Sequence, residues 1–81
     1  NVDGDVLIYP NPANGFVNVQ FNASAKTQMT IVDVNGRVVE KATFNGSVNE
    51  RINVTNWKPG LYIVMLTSEN GNVSVNKFIV K

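Results

Sequence analysis

"TQMTIVDVNGRVVEKATF", residues 27–44, holds two alternating runs with a turn signal between them. In its first half Met29 and Ile31 alternate with polar neighbours, the period of a strand with one buried face. Asn35-Gly36 then interrupts the run, and both residues tolerate the positive φ that a tight turn between twisted strands needs. The segments on either side, "TQMTIVDV" and "RVVEKATF", are therefore expected to be antiparallel neighbours. No window of the chain keeps a helical i, i+3, i+4, i+7 stripe for three turns.

Working outward, the same grammar repeats. "GFVNVQFN" (15–22) places Val17, Val19 and Phe21 on one face, with Asn18 and Gln20 toward water. Before it stands "DVLIY" (5–9), stopped by Pro10, because proline has no amide donor and pushes the residue before it to extended geometry. Asn45-Gly46 is read as a second tight turn. "ERINVT" (50–55) then puts Ile52 and Val54 on one face, and "NWKPG" (56–60) turns the chain. "LYIVMLTS" (61–68) is apolar on both faces, Leu61, Ile63 and Met65 against Tyr62, Val64 and Leu66, which predicts a central strand covered on both sides. After "ENGN" comes "VSVNKFIVK" (73–81). Its inward set is read as Val73 and Val75; Phe78 and Val80 fall on the other parity, so a bulge near Asn76 or burial of both faces is expected.

Seven strands spaced about 8–12 residues apart predict an all-β, seven-stranded antiparallel β-sandwich of immunoglobulin-like size. The Cys-Trp-Cys signature of antibody domains is missing, and Trp57 lies in a loop. The 81 residues make a single domain, 1–81, with 1–4 expected to be the end of a preceding linker. A chain of this size buries roughly 60–65% of its unfolded surface, so its core is thin. The first residue is not Met, which points to a fragment from the end of something longer.

Composition narrows the chemistry. The apolar share of 43% is that of a globular domain, whereas charged residues are only 16% with net charge +1. That balance gives no electrostatic footprint for nucleic acid or an anionic membrane. There is no Cys and no His, which removes Ser-His and Cys-His nucleophile pairs, soft metal sites and disulfides. No apolar run approaches the ~20 residues of a membrane-spanning helix, and "NVDGDV" lacks a basic and then apolar export segment.

The individual motifs have plainer explanations. Paired-carboxylate catalysis needs two carboxyls about 5–10 Å apart across a cleft. Asp3, Asp5, Asp33, Glu40, Glu50 and Glu69 instead stand at an end, at turns or on polar strand positions, so no enzyme is expected. "DGD" (3–5) could open a calcium loop, yet Val6 and Leu7 follow where oxygen ligands are required, and no metal or other cofactor is assigned. Asn-x-Ser/Thr triplets begin at Asn22, Asn45, Asn53 and Asn72 and are mostly explained by an Asn-rich surface. Trp57 and Tyr62 could form a sugar platform, but the preferred reading has Trp57 as a lid on the core and Tyr62 packed inward, its hydroxyl reaching backbone.

"YPNPANG" (9–15) holds two Asn/Tyr-Pro steps and an Asn-Gly within seven residues, a stiff connector with little entropy to lose and a surface of fixed shape. Four stretches in order, "YPNPANGFVNV", "DVNGRVV", "INVTNWKPGLYIV" and "VNKFIVK", span nearly the whole chain. In that arrangement the sequence resembles the type A C-terminal sorting domains of the type IX (Por) secretion system of Bacteroidota. The matching residues are Tyr9, Pro10, Asn11, Pro12 and Gly15, then Asp33 and Gly36, then Gly60 and Tyr62, and finally Lys77, Phe78, Ile79, Val80 and Lys81. Trp57 stands where the family more often has a smaller aliphatic residue.

The resemblance implies a domain at the end of a secreted cargo such as a protease or adhesin. It directs that cargo from the periplasm across the outer membrane and is then removed by a surface sortase. The implied partners are the translocon, shuttle and sortase proteins and the N-terminal cargo domain. The implied location is the periplasm in transit, then the outer-membrane surface or the medium. From the residues themselves, the last strand offers an edge for backbone pairing, with partner or self-association both open, and Lys77 and Lys81 would limit promiscuous pairing. The competing reading is a carbohydrate-binding or adhesive β-sandwich appended to a larger secreted protein, which predicts an exposed Trp57.

Overall fold

The computed structural model describes the backbone of residues 2–81 and the side chains of 6–23 and 25–81. Five strands follow one another: β1 (Val2–Tyr9), β2 (Phe16–Val32), β3 (Val38–Asn53), β4 (Gly60–Ser68) and β5 (Val73–Val80). Every strand pairing is antiparallel. β2 and β3, at 17 and 16 residues, are too long for one flat layer, and each bends to serve two. The first part of β2 pairs with β1 and with Gly46–Asn53 of β3. Its second part, from Thr27, pairs with β4 and with Val38–Phe44 of β3. β5 closes the second layer against β4.

The all-β antiparallel class is as expected, but five strands stand in place of the expected seven, because β2 and β3 each run through a corner and serve both layers. The difference lies at the corner. Ala23 stands opposite Gly46 and Thr27 opposite Phe44, so β2 carries three residues where β3 carries one. Asn45-Gly46 is not the expected hairpin. Gly46 has φ +79°, a conformation side-chain-bearing residues avoid, and it bends a strand that continues. Thr27, fully buried at the corner, donates its hydroxyl to the Ala25 carbonyl at 2.9 Å, so the bend leaves it satisfied.

The two hairpins share one construction. Asp33 N–H donates to the Arg37 carbonyl and Gly36 N–H to the Asp33 carbonyl, both at 3.0 Å. Ser68 and Asn72 with Gly71 repeat the pattern, both bonds at 2.9 Å. Gly36 and Gly71 have positive φ, but among the described residues no non-glycine residue does, so Asn35 does not take the left-handed conformation foreseen for it. The turn needs one such position, which glycine supplies. Asp33 and Ser68 also accept from backbone amides with their own side-chain oxygens.

The core lies between the layers. Val17, Val19, Phe21, Met29 and Ile31 of β2 meet Val48 and Ile52 of β3, Tyr62, Val64 and Leu66 of β4, and Phe78 and Val80 of β5. The parity predicted for 17–31 and for Ile52 and Val54 is the observed one. Two expectations fail. β4 buries only its even-numbered face: Ile63 and Met65 are half-buried and Leu61 is 37% exposed. β5 faces the opposite way from the reading above, with Phe78 at 0% and Val73 and Val75 at 61% and 57% exposure. There is no bulge at Asn76, because the β4–β5 register runs unbroken from Gly60 opposite Val80 to Thr67 opposite Val73. One strand offers one parity to the core, and the register with β4 sets Phe78 opposite Tyr62, where the two rings stack beneath Trp57.

Candidate recognition surface

The loop between β1 and β2 is tied to both ends of its neighbourhood. Tyr9 donates its hydroxyl to Gln20 Oε1 at 3.1 Å. The Tyr9–Pro10 and Asn11–Pro12 peptide bonds are both cis. Beyond them Asn11 Oδ1 accepts from Ile79 N–H at 3.0 Å, Ala13 N–H donates to the Ile79 carbonyl at 2.6 Å, and Lys81 N–H donates to the Ala13 carbonyl at 2.8 Å. Ala13 forms a parallel bridge with Val80 and is fully buried. At the other side of the loop the Gly15 carbonyl accepts from Val54 N–H at 3.0 Å and from the Thr55 hydroxyl at 3.2 Å. Gly15 itself has φ +86°, with nothing within 4 Å of an added Cβ, so glycine is required there by backbone conformation alone.

The proline loop and the last strand are thus one surface, although 68 positions separate Asn11 from Ile79. β4 adds to the same region, with Gly60 opposite Val80, Leu61 opposite Ile79 and Tyr62 opposite Phe78. Tyr9, Pro10, Asn11, Pro12, Gly60, Lys77, Ile79 and Lys81 are exposed and Gly15 is half-buried. Tyr62, Phe78 and Val80 point into the core, so they hold this surface from behind.

Tyr62 packs against Phe78 with ring centroids 5.8 Å apart, and its hydroxyl donates to the Lys58 carbonyl at 2.6 Å, as foreseen. Half-buried Trp57 caps the pair, 5.0 Å from Tyr62 and 6.4 Å from Phe78. Its outer side borders a cleft of 360 Å³ between the Asp33–Arg37 hairpin and residues 56–62, lined also by Asn35, Arg37, Asn56 and Lys58. Asp33 belongs to this hairpin rather than to the loop surface. The Arg37 backbone N–H holds its carboxyl below the usual carboxylate pKa, against some desolvation, with the Asn35 N–H and the Arg37 guanidinium adding to the effect.

Among the described residues no group of three or more carboxylates is placed to hold a metal ion, and the side chains of Asp3 and Asp5 lie outside the described ones. Two features went unread in the sequence. One is the bonding of the loop to β5, for which no local signal exists. The other is the exposed apolar row Val73, Val75 and Ile79, which the parity of Phe78 and Val80 could have disclosed.

Residues 7–81 match the profile of a family described as the secretion system C-terminal sorting domain. An endo-acting ulvan lyase of Formosa agariphila is 34% identical over 77 residues, covering 95% of this chain. The chain spans only 15% of that lyase's length. Among solved structures, CopC from Methylosinus trichosporium OB3b has a similar fold, with TM-score 0.50 and 14% identity over 95% of this chain and 94% of that one.

Proposed function

Because this chain belongs to the C-terminal sorting-domain family of the type IX (Por) secretion system, we propose that it carries an attached cargo across the outer membrane, through contact with the translocon and its shuttle proteins, and is then cut away by a surface sortase. The observation that carries the reading is the family match over residues 7–81, whose first and last motifs meet in one hydrogen-bonded surface. The matched stretch is only 15% of the lyase, which supports a cargo that is a separate enzyme. On this reading the cargo passes the periplasm in transit and ends on the cell surface or in the medium. The domain contributes shape and backbone pairing, and catalysis belongs to the cargo.

Recognition is assigned to Tyr9, Pro10, Asn11, Pro12, Gly15, Gly60, Lys77, Ile79 and Lys81, braced by Tyr62, Phe78 and Val80. Removing 76–81 would extract Phe78 and Val80 from the core and unfold the domain, so exposed side chains make the sharper test. A precursor with Lys77, Ile79 and Lys81 all changed to Ser should keep its fold by circular dichroism and accumulate its cargo in the periplasm. Normal surface display by that folded variant would refute the assignment.

The cleft beside Trp57 is the observation that favours the alternative, a carbohydrate-binding module. Adding soluble polysaccharide to the protein should leave Trp57 fluorescence unchanged, because the indole is engaged with Tyr62 and Phe78; a saturable shift would favour the alternative.

A further inference from the structure

The outer edge of β5 is occupied for only part of its length. Ile79 sends both its N–H and its carbonyl to the proline loop. In an antiparallel ladder backbone groups alternate in direction, so those of Lys77, Val75 and Val73 aim the same way as those of Ile79. Among the described residues none of the three has a backbone partner on that side, since β5 pairs only with β4 and the loop stops at Ile79. Val73–Lys77 therefore leaves about 17 Å of unpaired strand edge.

The side chains at these positions sharpen the picture. Val73, Val75 and Lys77 stand on the outer face beside Thr67, Met65 and Ile63 of β4. A bare apolar edge of this kind is a template for another strand, and proteins normally protect it with charges or bends. The long edge of β3 has both, with Glu40, Lys41, Glu50 and Arg51 along it and a corner at Gly46. β5 has Lys77 alone. The Asp33–Arg37 pair is the one ion pair among the described residues, so the Lys77 ammonium has no carboxylate partner there.

We infer that Val73–Lys77 is a strand-addition site for an extended peptide segment of the export apparatus, with apolar side chains beside Val73 and Val75 and a carboxylate at Lys77. The added strand continues the row that Ala13 begins on the same edge. The loop at Asn11 blocks sliding past Ile79 and so fixes the register. Backbone pairing supplies affinity, and the apolar and acidic positions supply selectivity. The identity of the strand's source rests on the sorting function proposed above.

The test uses the full precursor in its secreting host, in five forms: unaltered, lacking residues 1–81, Val75→Pro, Val73→Lys with Val75→Lys, and Lys77→Glu. Proline removes one outward N–H and is tolerated at an edge where that N–H bonds nothing. The double-lysine form touches only exposed side chains, so it covers the case in which the proline form does not fold. Surface cargo is expected to fall about tenfold or more in either folded variant, the equivalent of one or two backbone hydrogen bonds lost. A Lys77→Glu precursor should lose export in the same direction.

Wild-type export from the folded double-lysine form, with export abolished by removal of 1–81, overturns the strand-addition site and leaves the sorting function standing. Undiminished export without 1–81 overturns the sorting function, and with it the source of the strand. If sedimentation finds the unaltered protein dimeric and the double-lysine form monomeric while both export equally, the occupant is a second copy and the inference is overturned.

Discussion

Asp33 illustrates how much of a hairpin one carboxylate can hold. Its Oδ1 accepts from the amides of Asn35 at 2.9 Å and Arg37 at 3.0 Å, while Oδ2 meets the Arg37 guanidinium at 3.2 Å. These donors favour the ionised form, which places its folded pKa below the ordinary one. A carboxyl lowered in this way adds stability that is fully present above its unfolded pKa and is lost as pH falls through the folded value. An Asp33→Asn protein should therefore be less stable than the wild type at neutral pH, and the gap should close in acid, below about pH 4. Thermal melts of both proteins across pH 2–7 check this, and a gap that does not narrow in acid would show that the charge is not involved.

At the scale of elements, the last strand decides the most. Phe78 is fully buried against Tyr62 and Trp57, whereas Val73 and Val75 face water. Phe78→Ala should cost about 3–5 kcal/mol, a large share of the roughly 4–12 kcal/mol that a domain of this length possesses. Val73→Thr and Val75→Thr should each stay within about 0.5 kcal/mol, since they leave the core intact. Urea denaturation of the three variants reads this directly, and a costly Val75→Thr would reverse the assigned parity. The loop that covers the end of the strand gives a second prediction. Asn11→Ala removes the acceptor of Ile79 N–H and should cost about 0.5–1.5 kcal/mol, with faster hydrogen exchange at the Ile79 amide. Unchanged exchange at Ile79 would mean that the loop does not hold it.

Seen whole, the molecule is a sandwich whose layers are joined by two strands that pass through a corner. The hairpin at Asn35-Gly36 and the inward faces of β2 were legible in sequence, because both are local patterns of alternation and turn chemistry. The corner was not, since Asn-Gly serves a bulge as readily as a turn and only the pairing partner distinguishes them. The facing of β5 was not either, because its apolar residues occupy both parities and the register with β4 makes the choice. Family resemblance named the residues proposed here for recognition, but the bonds that gather Asn11 and Ala13 onto Ile79 and Lys81 are long-range and carry no local signature.

If this folded shape is itself the export label, it must work when moved to another protein. Residues 1–81 joined to the end of a reporter that normally stays in the periplasm of a type IX-competent host should bring that reporter to the cell surface, as measured by protease accessibility on intact cells. A reporter that stays protease-protected, while its appended domain is folded, would show that the shape is not the label.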